Sequence, residues 1–440
     1  MLNRILNRFR IELGHFQSLS DNAKKMILSY ALYLAAYPLL ATFMNAYLWR
    51  SSGNLWSIII YNLGYVIGLP VAFYFNGKLF SKFHVLKLYF LGALLQAITP
   101  CLVLFFPLNG LIGLFFYGCI YGFGAGLFWG NKNYLDLQIT RGTNRIYYNS
   151  IGQIFDLLMN VIIPMSAGWF IVLIASGNAT SSFIAYKIIM IAAFVLLFFS
   201  GLVIQFSSIK QIVIRKMFLR RPKPIWGLMR MFNILFNIQV GTTLILPNIL
   251  ILVLVGGEGI LGTIQAITAS ISAIAIYIIG RKSNISTAWQ FVFFGSVVFL
   301  LGTGILAGSF TWIGTLVYSV AITLTWASIW TPCNSVTMDL MDKLEPDTEN
   351  QYAYVCDNEL FYNLGRVIGI TVICALAIII SNNAALQYSA IIAGFCQLPL
   401  AWLIYKLVLH IHDQSNNIKN VMEKISPTTY ISPHSIVREV

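Results

Sequence analysis

Asn149, Gln153, Asp156 and Asn160 recur at intervals of four, three and four residues. On an α-helix that spacing lines up all four along one face. A second set, Tyr352, Glu359, Asn363 and Arg366, also keeps helical spacing. The carboxyls of Asp156 and Glu359 can carry a proton, and the guanidinium of Arg366 stays charged and can hold an anion. In hydrocarbon such a charge costs roughly 2.5–3.5 kcal/mol at a helix centre, so it faces a cavity or a partner. The simpler alternative is that these residues are hydrogen-bonding glue between helices. For Arg366 that alternative is an ion pair with Glu359 or Asp156 locking two helices together.

The surroundings of both sets are apolar. Of 440 residues, 58% are hydrophobic and only 10% charged, with a mean hydropathy of +0.77. Soluble domains carry roughly 25% charged residues. This composition excludes a disordered chain, a secreted disulfide scaffold and an ordinary soluble enzyme. The six cysteines lie in or beside apolar stretches without CxxC spacing and read as packing residues. The five histidines fall outside the apolar runs, and no nucleotide, metal or hydrolase motif sits in a loop that could present it. The sequence therefore predicts no enzyme, no cofactor and no metal site.

Twelve apolar stretches are long enough to cross a bilayer. Their cores are 26–48, 55–76, 85–107, 110–134, 146–175, 182–207, 227–255, 258–280, 287–308, 310–333, 353–381 and 386–409. With the N-terminus in the cytoplasm, the inner segments hold Lys24 and Lys25, Lys78, Lys82 and Lys87, Arg141 and Arg145, Lys210 to Lys223, Arg281 and Lys282, and Lys343. The outer loops hold only the basic residue Arg50. This asymmetry obeys the positive-inside rule and accounts for the net charge of +13 without a nucleic-acid partner.

The basic stretch 208–225 divides the chain into two six-helix halves, 1–207 and 226–410, followed by a tail, 411–440, expected to be disordered. Leu2, Ile5, Leu6 and Phe9 could form one face of a short interfacial helix before the first span. The halves share a plan. Trp129 aligns with Trp330, Gln153 with Glu359, and Asn160 with Arg366. The expected fold is an all-α membrane protein of twelve transmembrane helices in two pseudo-symmetric six-helix bundles.

Twelve spans, a six-plus-six repeat, a basic central loop and Gly77-Lys78-Leu79-Phe80-Ser81-Lys82 after the second span together resemble the major facilitator superfamily. Ser81 stands where that signature usually has an acid, and Gly280-Arg281-Lys282 is a vestige of the same loop in the second half. The stretches NAYLWR and GFGAGLFWGNKNYLDLQIT resemble an uncharacterised subgroup of bacterial permeases within it. The resemblance implies a monomeric transporter in the bacterial inner membrane, with both termini cytoplasmic. It further implies alternating access to a small organic solute, coupled to protons. Gly77, Lys78 and Lys82 would then form a cytoplasmic gate loop. Spans one, four, seven and ten would line the cavity, which makes Tyr33, Tyr37, Asn233, Asn237, Trp326, Trp330 and Asn334 candidate lining residues. Asn149, Gln153, Asn160 and Asn363 join them from spans five and eleven. Asp156 and Glu359 are the proton-coupling candidates, and Arg366 the substrate or ion-pair candidate. Two other classes remain open: a receptor or scaffold built on a transporter fold, and a membrane-embedded lipid-modifying enzyme.

Within this plan, Gly118, Gly122 and Gly126 repeat at every fourth position and read as a close-packing face. Pro70, Pro164 and Pro247 could kink their spans. Glu258 reads as an outer turn residue, and Lys187 and Arg230 as cations reaching the interface from just inside their spans. Lys132 and Asp136 read as a local pair.

Overall fold

The computed structural model of the chain describes residues 16–17, 19–80, 82–106, 110–139, 143–175, 179–209 and 218–425, leaving aside the side chains of 137–138, 143–146, 179–180, 348–349 and 414–425. The proposed interfacial helix before the first span, Ser81 and most of the central linker lie outside the described residues. Twelve helices are long and apolar enough to cross a membrane. They are α1 (Asp21–Ser52), α2 (Leu55–Leu79), α3 (Val85–Phe105), α4 (Gly110–Ile139), α5 (Thr143–Ala175), α6 (Ala179–Gln205), α7 (Pro224–Val255), α8 (Glu258–Lys282), α9 (Ile285–Gly308), α10 (Trp312–Leu344), α11 (Thr348–Ile379) and α12, made of Asn382–Cys396 and Leu400–Ile425. The protein is an integral membrane protein, and no strand occurs among the described residues.

Local chemistry sets the helix ends. The side chains of Ser20, Asn54, His84, Thr311 and Ser381 each accept from a backbone N–H in the first turn that follows. Gly53, at φ 59°, ends α1 in a conformation that residues with a side chain rarely adopt. Within α7, regular hydrogen bonding breaks after Thr243, resumes over Leu246–Leu250 and ends in a π turn, Ile251–Val255. Pro247 explains this break, because it supplies no backbone N–H. Pro70 and Pro164 stay inside continuous helices. At the other end of the chain α12 runs on to Ile425, into the segment expected to be a disordered tail. No glycine or proline follows Leu400 until Pro427, so nothing in the backbone stops the helix sooner. Residues 426–440 lie outside the described residues.

The two halves repeat one packing plan. In the first, α1 packs on α5 and α6, α2 on α4, and α3 on α4 and α6. In the second, α7 packs on α11 and α12, α8 on α10, and α9 on α10 and α12. The glycines of α4 allow the closest approach. A Cβ on Gly118, Gly122 or Gly126 would stand 2.0–2.4 Å from the carbonyl oxygens of Tyr61, Tyr65 and Leu69 on α2. The glycine face is therefore a packing surface.

The halves meet through α1 with α7, α5 with α8, and α2 with α11. An even number of spans places the start of α1 and the end of α12 on one face of the bundle, called proximal here; the opposite face is distal. The outer part of α5 is tight against α8, where Gly168 and Gly262 lie against the backbone of Glu258 and Pro164. Buried apolar packing runs without interruption from the first half into the distal part of the second. The proximal part of the second half, around Trp226, Phe236, Leu340 and Leu403, is a separate core. The bundle is thus joined distally and parted on the proximal side between α5 and α8.

Candidate functional site

The proximal half of α5 is exposed on two opposite sides. Ile154 and Leu158 are exposed on one, which is apolar and suited to lipid. A rotation of about 200° separates Leu158 from Asp156. Asn149, Gln153 and Asp156 are exposed on the other side, with Asn160 half-buried. A Cβ on Gly152 would stand 3.5 Å from the Tyr30 ring of α1, and Asp156 lies near enough to Tyr30 to act on it electrostatically, so the polar stripe faces the interior. The polar exposure is therefore that of a cleft. The Asp156 carboxylate accepts from Asn160 Nδ2 at 2.8 Å, and it has no cation within 4 Å among the described residues.

On α11, Arg366 donates through Nε to Asn237 Oδ1 of α7 and through Nη1 to Asn363 Oδ1, each at 3.2 Å. Both amides are buried, and Asn363 is held in turn by donating to the carbonyl of Glu359. The expected ion pair of Arg366 with Glu359 or Asp156 does not form. The guanidinium rests on two neutral oxygens, and the Glu359 carboxylate makes no hydrogen bond or ion pair among the described residues. Tyr37 of α1 and Tyr65 of α2 lie close enough to Arg366 to feel its charge. Neither hydroxyl, nor that of Tyr362, has a hydrogen-bond partner among the described residues. Asp156, Glu359 and Arg366 thus form no direct ion pair among the described residues, although Arg366 lies near enough to Glu359, and Lys132 to Asp156, to act on them electrostatically.

Aromatic rings flank them. Trp326 and Trp330 of α10 stack at 5.0 Å, with Phe236 beside them and Tyr362 at 6.0 Å from Trp330. Asn334 and Trp330 border a small void of about 10 Å³, room for a single water. Two candidates are buried on helix–helix seams. Tyr33 is buried against Phe128 with ring centroids 3.9 Å apart and donates to Gln96. Asn233 is fully buried and donates to Asn358 Oδ1, joining α7 to α11. Both side chains fall on helix–helix seams, because each helix has neighbours on several sides and the cleft takes only one.

Lys132 is a local pair, as expected: it meets Asp136 at 2.7 Å, where Tyr148 also donates, and its ammonium lies 4.0 Å over the Tyr30 ring. Arg230 does not reach for the interface. It forms a two-pronged ion pair with Asp357 of α11, at 2.6 and 2.8 Å, that also accepts from Trp226. At the proximal end of α2, Lys78 sits over the Tyr74 ring and Lys82 is exposed. The halves meet there through Asn76 and Phe80. Asn76 donates to the Tyr352 hydroxyl of α11 and accepts from Asn131 of α4, while the Phe80 ring meets Tyr352 edge-on.

On the distal face Arg50 pairs with Glu258 at 2.8 Å, and Tyr186 donates to the same carboxylate. Asn45 and Asn248 add hydrogen bonds across the halves, to the carbonyls of Leu244 and Ala41. Reading Glu258 as a plain turn residue missed this contact. A signal was present: Arg50 is the lone outer base, and an acid opens another outer turn.

No protein-family profile matches the sequence. The uncharacterised protein YqgE of Bacillus subtilis (strain 168) is 23% identical over 377 residues, 85% of this chain and 87% of that protein. Among solved structures, a bacterial homologue of the iron transporter ferroportin in its inward-facing state is similar at 16% identity and a TM-score of 0.68, over 89% of this chain and 99% of that one. Its outward-facing state gives 0.61. A mutant form of the nucleoside transporter NupG gives 0.63 at 13% identity, over 88% of this chain and all of that one (100%). The chain has the fold of these major-facilitator-type and related transporters.

Proposed function

We propose that the protein is a secondary active transporter that moves a small organic solute by alternating access and is driven by protons. One observation carries this reading. The interface between two repeated halves, tight distally between α5 and α8 and parted between them proximally, gathers Asp156, Glu359 and Arg366 with no direct ion pair among the described residues. Charges left unpaired at mid-membrane are costly in a purely structural role, and repeat-built transporters bind at that place. Asp156 and Glu359 act as proton carriers, and Arg366 as the anchor for an anionic group. The solved transporters of the same fold, named for iron and nucleosides, support the transport class and leave the solute open.

The proximal face carries the basic residues Lys24, Lys25, Arg220, Arg221, Arg281 and Lys282 and is the cytoplasmic one. The protein resides in a bacterial cytoplasmic membrane with both termini inside and works as a monomer, without cofactor, metal or nucleic acid. A metabolite comparison of cells with and without the protein identifies the solute. Flux of that solute into proteoliposomes under an imposed pH gradient then tests the function. Gradient-dependent accumulation is expected; a solute pool that differs without any vesicle flux would turn the reading towards a receptor or an enzyme.

A further inference from the structure

The cleft's charges specify the kind of solute. Among the described residues Arg366 uses only Nε and one Nη1 hydrogen, on Asn237 and Asn363, and the rest of its donor fork is available. Glu359 lies seven residues earlier on the same face of α11, about 10 Å along the helix axis, with its carboxylate unpartnered. Between them in sequence stands Tyr362, whose ring meets Trp330 at 6.0 Å, with Trp326 stacked behind. Tyr37 and Tyr65 bring two unpartnered hydroxyls from the other half. One wall therefore presents a cation, an anion and an aromatic surface, and the facing wall presents neutral donors and the second carboxylate, Asp156.

We infer that the cleft binds a zwitterionic organic solute with an aromatic or hydrocarbon body. Its carboxylate sits on Arg366, its ammonium at Glu359, and its body against Tyr362 and Trp330. A neutral solute would leave Arg366, Glu359 and Asp156 without a direct ion pair in the closed cleft. A simple anion would satisfy Arg366 and leave two carboxylates facing each other without a cation. A zwitterion answers Arg366 and one carboxylate together, and a proton on the other carboxylate makes the closed, loaded cleft neutral.

This inference rests on the transporter reading for the cleft's being a substrate site, so binding and flux are measured separately. Purified full-length protein in detergent is titrated with L-tryptophan and the dipeptide Phe-Ala, and with their N-acetyl, carboxamide and doubly blocked derivatives, by thermal shift and direct binding. At least one zwitterion is expected to bind ten-fold or more tighter than each of its blocked forms. Arg366→Gln should erase discrimination between acid and carboxamide, and Glu359→Gln should erase discrimination between amine and N-acetyl amine. Equal or tighter binding of the doubly blocked forms, or no binding by either zwitterion, overturns the inference. Binding with this pattern but no flux in proteoliposomes overturns the transporter reading and leaves the ligand class standing. Circular dichroism and elution volume of both variants separate lost recognition from lost folding.

Discussion

Arg50 at the end of α1 and Glu258 at the start of α8 meet at 2.8 Å and tie the two halves together across the distal face. They lie 208 residues apart in the chain. The Glu258 carboxylate is mostly buried, while the Arg50 side chain is 42% exposed, so the pair is a latch of modest strength, about 1 kcal/mol.

Glu258→Gln should therefore loosen the distal face and raise the ratio of distally open to closed molecules about fivefold, the equivalent of 1 kcal/mol. Spin labels at Asn54→Cys and Ile260→Cys, one in each half, report the change as a longer distance population. The swapped pair, Arg50→Glu with Glu258→Arg, should restore the closed distribution. An unchanged distribution in Glu258→Gln would mean that the apolar packing of α5 on α8 alone holds this face shut.

Asp156→Asn and Glu359→Gln preserve shape and remove the titrating proton. Both variants are expected to fold; Asp156→Asn should still exchange solute across vesicles at equal pH, whereas Glu359→Gln, which also removes the ammonium site, should do so only at higher solute concentration. Each should lose most of its pH-gradient-driven accumulation, because a neutral amide cannot deliver a proton. Full accumulation in both would remove these carboxyls as coupling groups.

Arg230 and Asp357 form an ion pair with side chains 25% and 9% exposed. Asp357→Asn leaves the guanidinium partly buried without a countercharge and should cost about 3 kcal/mol of stability. Thermal unfolding in detergent reads this as a lower Tm. Replacing both partners, Arg230→Met with Asp357→Leu, should recover much of the loss, since a buried pair is costly mainly when broken.

Gly122→Ala places a methyl where a Cβ would lie 2.0 Å from the Tyr65 carbonyl oxygen. Backbone on both sides must shift, at a cost of about 1–3 kcal/mol. The expected result is a lower Tm and lower yield, whereas Gly227→Ala, with nothing within 4 Å of its Cβ, should leave both unchanged.

The sequence by itself determined the number of spans, their order and the division into two halves. Runs of twenty or more apolar residues have one stable answer in a bilayer, because every backbone N–H and C=O must be bonded within its own helix. It also placed Asp156, Glu359 and Arg366 on polar helix faces, since helical periodicity is local and shows in the spacing of residues. Tertiary structure decided what each face meets. Asn237 and Asn233 are one turn apart on α7, yet one holds Arg366 and the other joins two helices. Tyr37 borders the cleft, while Tyr33, one turn away, is buried against Phe128. The pairing of Arg50 with Glu258 and of Arg230 with Asp357 was likewise beyond the reach of sequence spacing. A helix in a bundle turns different sides to lipid, to neighbours and to the cleft, and its rotation is set by close packing with helices distant in the chain.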